Sequence, residues 1–478
     1  MNADPRHTHG HLDFFRCVCG PRAVLTDPQA QAPYLEERRG RFSGTAMAVV
    51  LPGSTAEVAA VVQYAHAQGI AMVPQGGHTG LCGGAVPDAS GRQIILNLRR
   101  MRDILSIDTL EGTVTVQAGC RLADLQQAVE AKGWYFPLSL ASAGECQIGG
   151  NLATNAGGHN VLRYGNVREL CRGLEVVLAD GRVWSDLSGL SKNNSGYDLK
   201  QLFIGSEGTL GVITTAVLRL VRQPREQLVA LVPVPDIATA LRLFGAINDE
   251  MGEALTAFEL MSDFSMMLVA RHFPELVASL PLSSAWSVLV ELSLPGTAED
   301  LLSSFSGALD TSIGRTEMND AVVARDLVQG SRLWAIRNAI PDAQRREGPS
   351  IKHDISLPRG QIAGFISELY PLLQDRCSGV RPCVFGHLGD GNLHFNLSAP
   401  SAGETQDFVL QRERLERLVH DRVVAHGGSF SAEHGIGQLK RNEMARYKDE
   451  VTLDLMQRIK RALDPDNVMN PGKVLPDR

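Results

Sequence analysis

Two histidines that flank a turn sequence are the first candidates for chemistry in this chain. His387 and His394 are seven positions apart, an odd spacing that would place them on opposite faces of one continuous strand. A shared metal ion would therefore require a turn between them, and Gly389-Asp390-Gly391 is a typical turn sequence. With a turn there, His394 and Asn396 would point to one face of the outgoing strand.

Glu433 and His434 could join this pair. Gly435 follows them and permits a bend that would aim both side chains at one pocket. Two histidines and one carboxylate, with an open position, are the ligand set of a catalytic zinc site. The alternative for the histidine pair alone is a hydrogen-bonded structural role. No fourth protein ligand that would close a structural zinc site is apparent in the sequence.

Three glycine-dense segments form the second group of candidates. Residues 74–84 read PQGGHTGLCGG, and similar segments occupy residues 142–151 and 153–158. Successive amide groups of such a loop can form a nest for an anion, although one loop alone is as readily a tight turn with a bulge. Three of them in one region predict a long ligand with a pyrophosphate. Neither GxGxxG nor GxxxxGKS/T occurs, which disfavours a Rossmann dinucleotide site and a P-loop.

Apolar periodicity and turn signals predict the helices and strands that would position these segments. Ser54-Thr-Ala-Glu57 is a capping box, and Asp180-Gly181 between two apolar runs predicts a hairpin. After a linker at residues 222–226, the order strand, helix, strand, strand, helix predicts an antiparallel sheet with helices on one face. The predicted helices span residues 54–69, 121–132, 237–251, 299–309, 361–375, 405–424 and 453–463. The predicted strands lie at residues 70–73, 93–98, 113–116, 174–179, 183–184, 214–220, 227–234, near 257 and at 286–294.

The composition is that of an ordinary globular chain. The 478 residues are 44% hydrophobic and 21% charged, and this length predicts two or three domains. The net charge of −7 and the aromatic content of 5% together disfavour nucleic-acid binding. No basic and apolar leader and no apolar run of about 18 residues is visible, so we expect a cytoplasmic protein. The eight irregularly spaced cysteines predict reduced thiols.

The glycine-dense motifs carry a family resemblance. PQGGHTGLCGG, SAGECQIGGNLATNAGG and GSEGTLGVIT together resemble the FAD-binding domain of the vanillyl-alcohol oxidase / p-cresol methylhydroxylase superfamily. GHLGDGNLHFN, SAEHGIG and NPGK resemble its FAD-dependent D-2-hydroxyacid dehydrogenases, and the resemblance covers residues 40–478.

The resemblance implies an α+β fold. It would combine a two-part FAD-binding domain of the p-cresol methylhydroxylase type, an antiparallel-sheet substrate-binding cap domain and a small C-terminal helical segment. The expected parts are an N-terminal lead-in at 1–40, the FAD-binding domain at 41–222, the cap at 223–427 and, at 428–478, a C-terminal segment that returns to the flavin site.

The same resemblance implies which residues hold FAD. The first glycine loop would cradle the pyrophosphate, the second and third segments would line the flavin and ribityl side, and Ile213 would lie near the adenine. His78 stands where the noncovalent branch usually carries Asn or Ser, so covalent attachment through His78 is the alternative to noncovalent FAD. The implied cofactor residues are Pro74, Gly76, Gly77, His78, Thr79, Gly80, Ser142, Gly150, Thr154, Asn155, Ile213 and Asn470.

A metal site, a catalytic base and substrate-binding residues are implied as well. His434 matches the base, and Pro341 stands where relatives specific for 2-hydroxyglutarate carry Thr, which leaves the substrate chain length open. Lys352 is predicted to lie with Asp354 on one polar face of an alternating strand, opposite Ile351 and His353. The implied ligands of a divalent ion, expected to be Zn²⁺, are His387, His394 and Glu433. The implied substrate residues are Arg337, Lys352 and Asn396.

The implied activity is oxidation of a D-2-hydroxyacid. The metal would favour the alkoxide, His434 would take the hydroxyl proton and FAD would take the hydride. D-2-hydroxyglutarate is the expected substrate, and the alternatives are a D-lactate dehydrogenase or the flavin subunit of a glycolate oxidase.

Electrons would leave to an external acceptor such as an electron-transfer flavoprotein or a quinone system, because no Fe–S cysteine spacing is present. An oxidase that reduces oxygen and a non-catalytic electron-transfer subunit are further alternatives. A homodimer is an assembly that the resemblance allows.

Overall fold

The structure, a computed structural model, describes residues 5–278, 280, 284–294, 301–312, 320–400 and 405–476. The chain divides into two compact units. The first comprises Met1–Gly158, Gly165–Gln223 and Glu433–Arg478, and the second comprises His159–Tyr164 and Pro224–Ala432. The first unit therefore contains residues of the expected lead-in, FAD-binding domain and C-terminal segment together.

The first unit opens with a four-stranded sheet. Its order is Val24–Leu25, Ala48–Val50, Ile94–Asn97 and Met72–Gln75, of which the last three are parallel and the first is an antiparallel edge. Helix Thr55–Ala67 begins where predicted, because Ser54 Oγ accepts the N–H of Glu57 at 3.2 Å. The Glu57 carboxylate in turn accepts the N–H of Gly53 at 2.7 Å, one position earlier than in a standard capping box.

Residues 1–40, expected only as a lead-in, supply elements of this unit. Helix Pro5–Cys19 packs through Phe14, whose ring stacks on Tyr64 with centroids 3.8 Å apart, and through the fully buried Phe15. Helix Pro28–Leu35 follows the edge strand. Two adjacent phenylalanines among polar residues are the sequence signal for this packing.

A five-stranded antiparallel sheet forms the other half of the first unit. Its central strand, Val212–Arg219, is buried along almost its whole length. The turn at Asp180-Gly181 joins two paired strands, which confirms the predicted hairpin. The strand order is Ile104–Asp108, Thr113–Gln117, Val212–Arg219, Cys171–Val177 and Val183–Asp186.

The remaining elements of the first unit are helices and one two-stranded ribbon. Helix Leu122–Glu130 lies within the predicted range 121–132, and helix Glu450–Leu463 includes the predicted range 453–463. Strands Trp134–Tyr135 and Val221–Arg222 form a two-stranded ribbon. The other helices of this unit are Pro21–Ala23, Ile148–Ala153, Val167–Leu170, Lys200–Phe203 and Arg441–Tyr447.

The second unit is built on an eight-stranded antiparallel sheet. A turn at residues 388–391 joins Arg381–Gly386 to Asn392–Ser398, as the Gly-Asp-Gly sequence predicts. Strand Asp354–Ser356 also pairs with Asn392–Ser398. The order is Val322–Val323, Glu226–Val234, Trp286–Leu294, Leu255–Ser262, Arg381–Gly386, Asn392–Ser398 and Ser350–Ile351.

Helices cover both faces of this sheet, so the prediction of helices on one face is wrong. Along strand Glu226–Val234, Leu228 and Ala230 enter one apolar core, whereas Val229 and Leu231 enter another. The strand reads as a continuous apolar run because both of its faces are buried. Helices Ile237–Met251, Leu301–Ser312, Ile362–Arg376, Thr405–Leu410 and Arg412–Ala425 supply the first core. Helices Asp263–His272, Pro274–Val277 and Leu327–Glu347 supply the second.

Most predicted elements of this unit are confirmed within a few residues. Helix Ile237–Met251 and strand Trp286–Leu294 coincide with the predicted ranges. The predicted helix 405–424 is two helices, Thr405–Leu410 and Arg412–Ala425. The predicted helix 299–309 begins at Glu299, which lies outside the described residues, and the helix described there is Leu301–Ser312.

Two further findings concern the helices and the cysteines. In the described parts of the chain, no helix combines the length and the apolar character needed to cross a membrane. All eight cysteines lie within those parts and none forms a disulfide, as predicted.

Candidate active site

Two adjoining cavities in the first unit follow the glycine-dense segments. One has a volume of about 450 Å³ and the other about 150 Å³, and both have Gln75, Gly76, Gly77, His78 and Gln147 in their walls. Ligand pockets typically measure about 300–1,000 Å³, so the pair has the size of a cofactor site. We call the pair the glycine-loop cavity.

Glycine is required in these walls for two different reasons. A Cβ on Gly77 would lie 2.1 Å from the carbonyl oxygen of Glu145, so the loops approach too closely for any side chain there. At Gly80 and Gly150 a Cβ would meet no atom within 4 Å, and both residues face the cavity. Side chains at these two positions would fill the space in which a ligand would lie.

Polar atoms without a protein partner also face this cavity. Among the described residues, Gln147 Oε1 and Asn151 Nδ2 are buried and make no hydrogen bond. Buried polar groups are normally satisfied, so an unpaired acceptor and donor in a cavity wall fit a polar ligand. Large backbone-lined space and unpaired polar groups together suit FAD, whose adenine, ribityl and pyrophosphate parts offer donors and acceptors.

The ring of His78 is held by the protein. Its Nε2 lies 2.7 Å from the carbonyl oxygen of Glu36, and its Nδ1 lies 3.2 Å from Gln75 Nε2. These partners require a neutral ring that donates from Nε2 and accepts at Nδ1. Burial lowers the pKa of His78, which favours the same neutral form.

Nine of the twelve implied cofactor residues lie in the cavity wall, and three do not. Asn155 accepts the N–H of Arg168 at 3.2 Å, and the carbonyl of Ser142 accepts two N–H groups of a turn. The side chain of Asn470 donates to the carbonyls of Gly84 and Glu207 at 2.9 and 2.8 Å. The nine are Pro74, Gly76, Gly77, His78, Thr79, Gly80, Gly150, Thr154 and Ile213.

His434 lies in the same wall, on a segment that a half-buried carboxylate holds in place. Glu207 accepts the N–H groups of Ile436 at 2.7 Å and Gly437 at 2.8 Å. Burial raises the pKa of Glu207, although these two N–H groups oppose the rise. Glu433, next to His434, accepts the N–H of Gly158 at 2.8 Å. Glu207 was not a sequence candidate. The signal in the sequence was an acidic residue between two nearby glycines, Gly205 and Gly208, and both glycines adopt positive φ in the structure.

In the second unit, one buried carboxylate joins two of the implied site residues. Glu259 accepts a hydrogen bond from Arg337 Nε at 2.6 Å, and its other oxygen contacts Nδ1 of His387. Burial favours the neutral form of Glu259, but Arg337 and His387 hold its pKa well below the usual range. The rings of His387 and His394 have centroids 5.7 Å apart. Glu259 was not a sequence candidate, although an acidic residue within the apolar strand Leu255–Ser262 was a visible signal.

A second histidine and a tryptophan adjoin His387. The ring of His159 stacks on Trp334 at 4.6 Å between centroids and lies 5.4 Å from the ring of His387. Burial, followed by the charge of Arg337, lowers the pKa of His159 to about 3. This ring is therefore neutral at physiological pH. Trp334 Nε1 donates to Glu291 at 2.6 Å.

Lys352 and Asn396 meet at one amide. Both side chains donate to Gln344 Oε1, at 2.8 and 2.9 Å. The predicted continuous alternating strand around Lys352 is wrong, because Ser350–Ile351 and Asp354–Ser356 are separate strands. The N–H of His353, in the gap between them, donates to Asn396 Oδ1 at 3.1 Å, so a side chain replaces a strand partner there.

Pro341 lies one helical turn after Arg337 and is exposed. Proline has no N–H, so the carbonyl of Arg337 loses its regular partner in helix Leu327–Glu347.

Asp354 adjoins His394, with Asp354 Oδ1 lying 3.9 Å from His394 Nδ1.

The donor chemistry on these segments suits a divalent cation. His387 and His394 supply nitrogen donors, and a carboxylate on Nδ1 of His387 favours the tautomer that presents Nε2. The N–H of Ala432 donates to the carbonyl of Asp354 at 3.2 Å, so the second unit fixes the residue directly before Glu433.

Comparisons with known proteins assign both halves of the chain. Residues 223–474 match the family of FAD-linked oxidases, C-terminal domain, and residues 46–186 match the family described as FAD binding domain. The chain is 39% identical over 460 residues to the mitochondrial D-2-hydroxyglutarate dehydrogenase of Bos taurus, which covers 95% of this chain and 82% of the relative. It is 36% identical over 451 residues to D-2-hydroxyglutarate dehydrogenase of Xanthomonas citri pv. viticola, with 94% of each covered.

A solved structure confirms the expected fold type. Substrate-bound p-cresol methylhydroxylase superimposes with a TM-score of 0.78 over 100% of this chain and 98% of that chain, at 17% sequence identity. The similarity at this identity concerns the fold alone.

Proposed function

Because the chain belongs to the FAD-linked oxidases, and among them to the D-2-hydroxyglutarate dehydrogenase family, we propose that it oxidises D-2-hydroxyglutarate to 2-oxoglutarate. It is an FAD-dependent D-2-hydroxyacid dehydrogenase. The observation that carries the proposal is the position of His434 in the wall of the glycine-loop cavity, where a base would stand beside the cofactor.

We propose that FAD is held noncovalently, by the nine wall residues and with Gln147 and Asn151 as further polar contacts. Both nitrogens of His78 already have protein partners, which disfavours a covalent bond through that ring. Bound FAD supplies the acceptor for the hydride that leaves the substrate C2.

His387, His394 and Glu433 are the proposed ligands of a divalent metal ion, with Zn²⁺ as the expected ion. Such an ion supplies positive charge that lowers the pKa of a hydroxyl group near it. Glu259 fixes the ring of His387 on its Nδ1 side, and a neutral His159 adds no repelling charge next to it.

The remaining roles fall to residues that bind and deprotonate the substrate. Arg337 uses Nε for Glu259 and, among the described residues, leaves its Nη atoms without a hydrogen-bond partner. We assign these Nη atoms to a substrate carboxylate, and Lys352 and Asn396 to the second carboxylate. His434 takes the proton of the 2-hydroxyl group, which assists the departure of the C2 hydride.

The test is anaerobic rapid mixing of the holoenzyme with the D and L forms of 2-hydroxyglutarate, malate and lactate while flavin absorbance is followed. Fast bleaching by D-2-hydroxyglutarate is expected. Bleaching by L forms alone would overturn the stereochemical assignment. Faster bleaching by D-malate or D-lactate would show that a shorter 2-hydroxyacid is the preferred substrate, as the proline at position 341 allows.

The same experiment with His434→Ala tests the base. Flavin reduction should slow by about 10² to 10⁴, the usual range for a positioned general base. The matched control is His66→Ala, on helix Thr55–Ala67, whose ring lies 3.6 Å from Asp466 and is not in the cavity wall. An unchanged reduction rate in His434→Ala, with metal and FAD still bound, would show that another group takes the proton.

The electron acceptor, the oligomeric state and the cellular location of the protein are proposals as well. We propose an external electron acceptor, either an electron-transfer flavoprotein or a quinone system. Rapid oxygen consumption during aerobic turnover with D-2-hydroxyglutarate would instead identify an oxidase. A homodimer and a cytoplasmic location are proposed as well. The name of the bovine relative places that protein in mitochondria, whereas the name of the Xanthomonas relative gives no compartment.

A further inference from the structure

A third cavity in the first unit is lined mainly by the C-terminal segment. It has a volume of about 290 Å³ and lies among helix Arg441–Tyr447, helix Glu450–Leu463 and residues 464–476. Among the described residues of its wall, four are cationic, Arg441, Lys460, Arg461 and Lys473, and one is acidic, Asp464.

One cation and the acidic residue neutralise each other. Lys460 Nζ pairs with Asp464 Oδ2 and also donates to the carbonyls of Thr209 and Met469, at 2.8 Å each. Asp464 in addition accepts the N–H groups of Val468 and Met469. This pair therefore serves the fold of the segment and leaves three cations in the wall.

Lys473 has no such compensation. The residue is only 5% exposed, and its side chain makes no hydrogen bond or ion pair with any of the described residues. Burial lowers the pKa of Lys473 to about 8; Asp88 opposes the shift and Arg441 adds to it. At pH 7 the ammonium is still largely charged. A buried cation without a partner destabilises a fold unless something pairs with it.

The other wall residues can also contact an anion. Arg461 is exposed and uses Nε for the carbonyl of Gln457 at 3.3 Å, while Arg441 uses Nε for the carbonyl of Leu475 at 2.8 Å. Gln457 has a buried amide oxygen without a partner, and its amide can equally present its NH₂ group to the cavity.

We propose that this cavity binds a small dianion, with the ammonium of Lys473 as its anchor and the guanidinium groups of Arg441 and Arg461 as further contacts. A phosphate group and a short dicarboxylate share this chemistry, since both offer several oxygen acceptors with two negative charges. This site is separate from the glycine-loop cavity and does not depend on the proposed substrate.

The segment that carries Lys473 also contacts the backbone close to the proposed base, in the same unit. The N–H of Val474 donates to the carbonyl of Gly437 at 2.9 Å, three residues after His434. Asn470 donates to the carbonyl of Glu207, whose carboxylate holds the N–H groups of Ile436 and Gly437. An anion on Lys473 would therefore order a segment that borders the proposed base.

The test is calorimetric titration of the holoenzyme at pH 7 and constant ionic strength, with inorganic phosphate in one arm and glutarate in the other. Lys473→Met should raise the dissociation constant of whichever anion the wild type binds by at least tenfold. Lys132→Met, an exposed lysine of the same unit outside the cavity wall, is the matched control and should bind as the wild type does.

A second variant covers the case in which Lys473→Met does not fold. Arg461→Met changes an exposed side chain and should weaken binding several-fold. Binding of phosphate or glutarate that Lys473→Met or Arg461→Met weakens, and Lys132→Met does not, supports the site and identifies the source of the dianion. No binding of either anion by the wild type, or equal binding by wild type, Lys473→Met and Arg461→Met, would overturn it.

Discussion

At the scale of single residues, two carboxylates hold the residues that we propose to act, or the backbone beside them. Glu259 holds Arg337 with one oxygen and contacts His387 with the other, and Glu207 holds the backbone beyond His434. The turn between the two histidines was predictable because Gly389-Asp390-Gly391 is a local signal, and their role as metal ligands stays a prediction. The carboxylates were not, because the partners of Glu259 lie 78 and 128 positions away and only folding brings them together.

Replacing Glu259 by Gln tests this positioning role. The variant removes the charge while keeping the shape, so His387 loses its fixed tautomer and Arg337 its ion pair. Metal affinity, measured by competition with a chromophoric chelator, should fall by about 10- to 100-fold, as for other partners of metal ligands. KM for the D-2-hydroxyacid should rise as well.

Glu291→Gln is the matched control for that experiment. Glu291 is also buried in the sheet, but burial raises its pKa and its partner is Trp334 Nε1, so the amide replaces a carboxyl that is easily neutral. It should leave metal affinity near the wild-type value. Equal losses in the two variants would mean that general disturbance of the sheet, and not the Glu259 contact, sets metal binding.

At the scale of elements, the glycine loops and the sheet faces were predictable to different degrees. The loops were visible because a run of glycines is itself the signal. Whether helices cover one face of the sheet or both was not predictable. A continuous apolar run such as Leu228–Val234 indicates a strand that is buried on both faces, but it does not show which elements pack on those faces. Asn155 and Asn470 hydrogen-bond to the backbone of other segments and do not line the cavity, so their contact with FAD stays a prediction.

Gly150→Ala tests whether the open space at the first turn of helix Ile148–Ala153 belongs to FAD. No protein atom lies within 4 Å of the new Cβ, so the apoprotein should keep its thermal midpoint. The methyl group enters the cavity, so affinity for FAD should fall at least tenfold. FAD content is measured on the cofactor that acid precipitation releases.

Gly245→Ala, in helix Ile237–Met251 of the second unit, also has no atom within 4 Å of its Cβ and is the control. It should retain full FAD. Undiminished FAD in Gly150→Ala would exclude that part of the cavity from the cofactor site, and flavin left in the precipitate would restore covalent attachment through His78.

At the scale of the whole molecule, acid stability should depend on Glu347. Its carboxylate accepts hydrogen bonds from Arg271 at 2.8 Å, Arg381 at 2.7 Å and His272 at 3.0 Å. Burial alone would raise the pKa of Glu347, but these partners lower it to about 2. A carboxyl whose pKa is lower in the folded state contributes stability above its unfolded pKa and loses it as pH falls toward the folded value.

Glu347→Gln should therefore destabilise the protein near pH 7 by on the order of 2 kcal/mol, after allowance for the exposure of the arginines. The difference from the wild type should shrink as pH falls from about 5 toward 2, where the wild-type carboxyl also becomes neutral. Urea unfolding at a series of pH values measures it. Glu368→Gln, at an exposed ion pair with Arg422, should show a smaller difference, and parallel curves for Glu347→Gln and the wild type would refute the assignment.

The division of the chain into two units was predictable in outline, because the linker near residue 222 changes the pattern of elements. The resemblance also implies that the segment 428–478 returns to the flavin site, and residues from Glu433 onward belong to the first unit. The inclusion of residues 159–164 in the second unit was not predicted, because Arg163 meets Thr256 and Ser293, 93 and 130 positions away, only on folding.

The first unit is discontinuous, and this has a consequence for synthesis. The glycine loops leave the ribosome early, but His434 and the backbone that Glu207 binds follow only after the whole second unit. A nascent chain that ends before Glu433 has every residue of the second unit and none of the final wall of the cofactor cavity. We therefore expect the second unit to complete its folding first, and tight capture of FAD to be a late event that coincides with release of the finished chain.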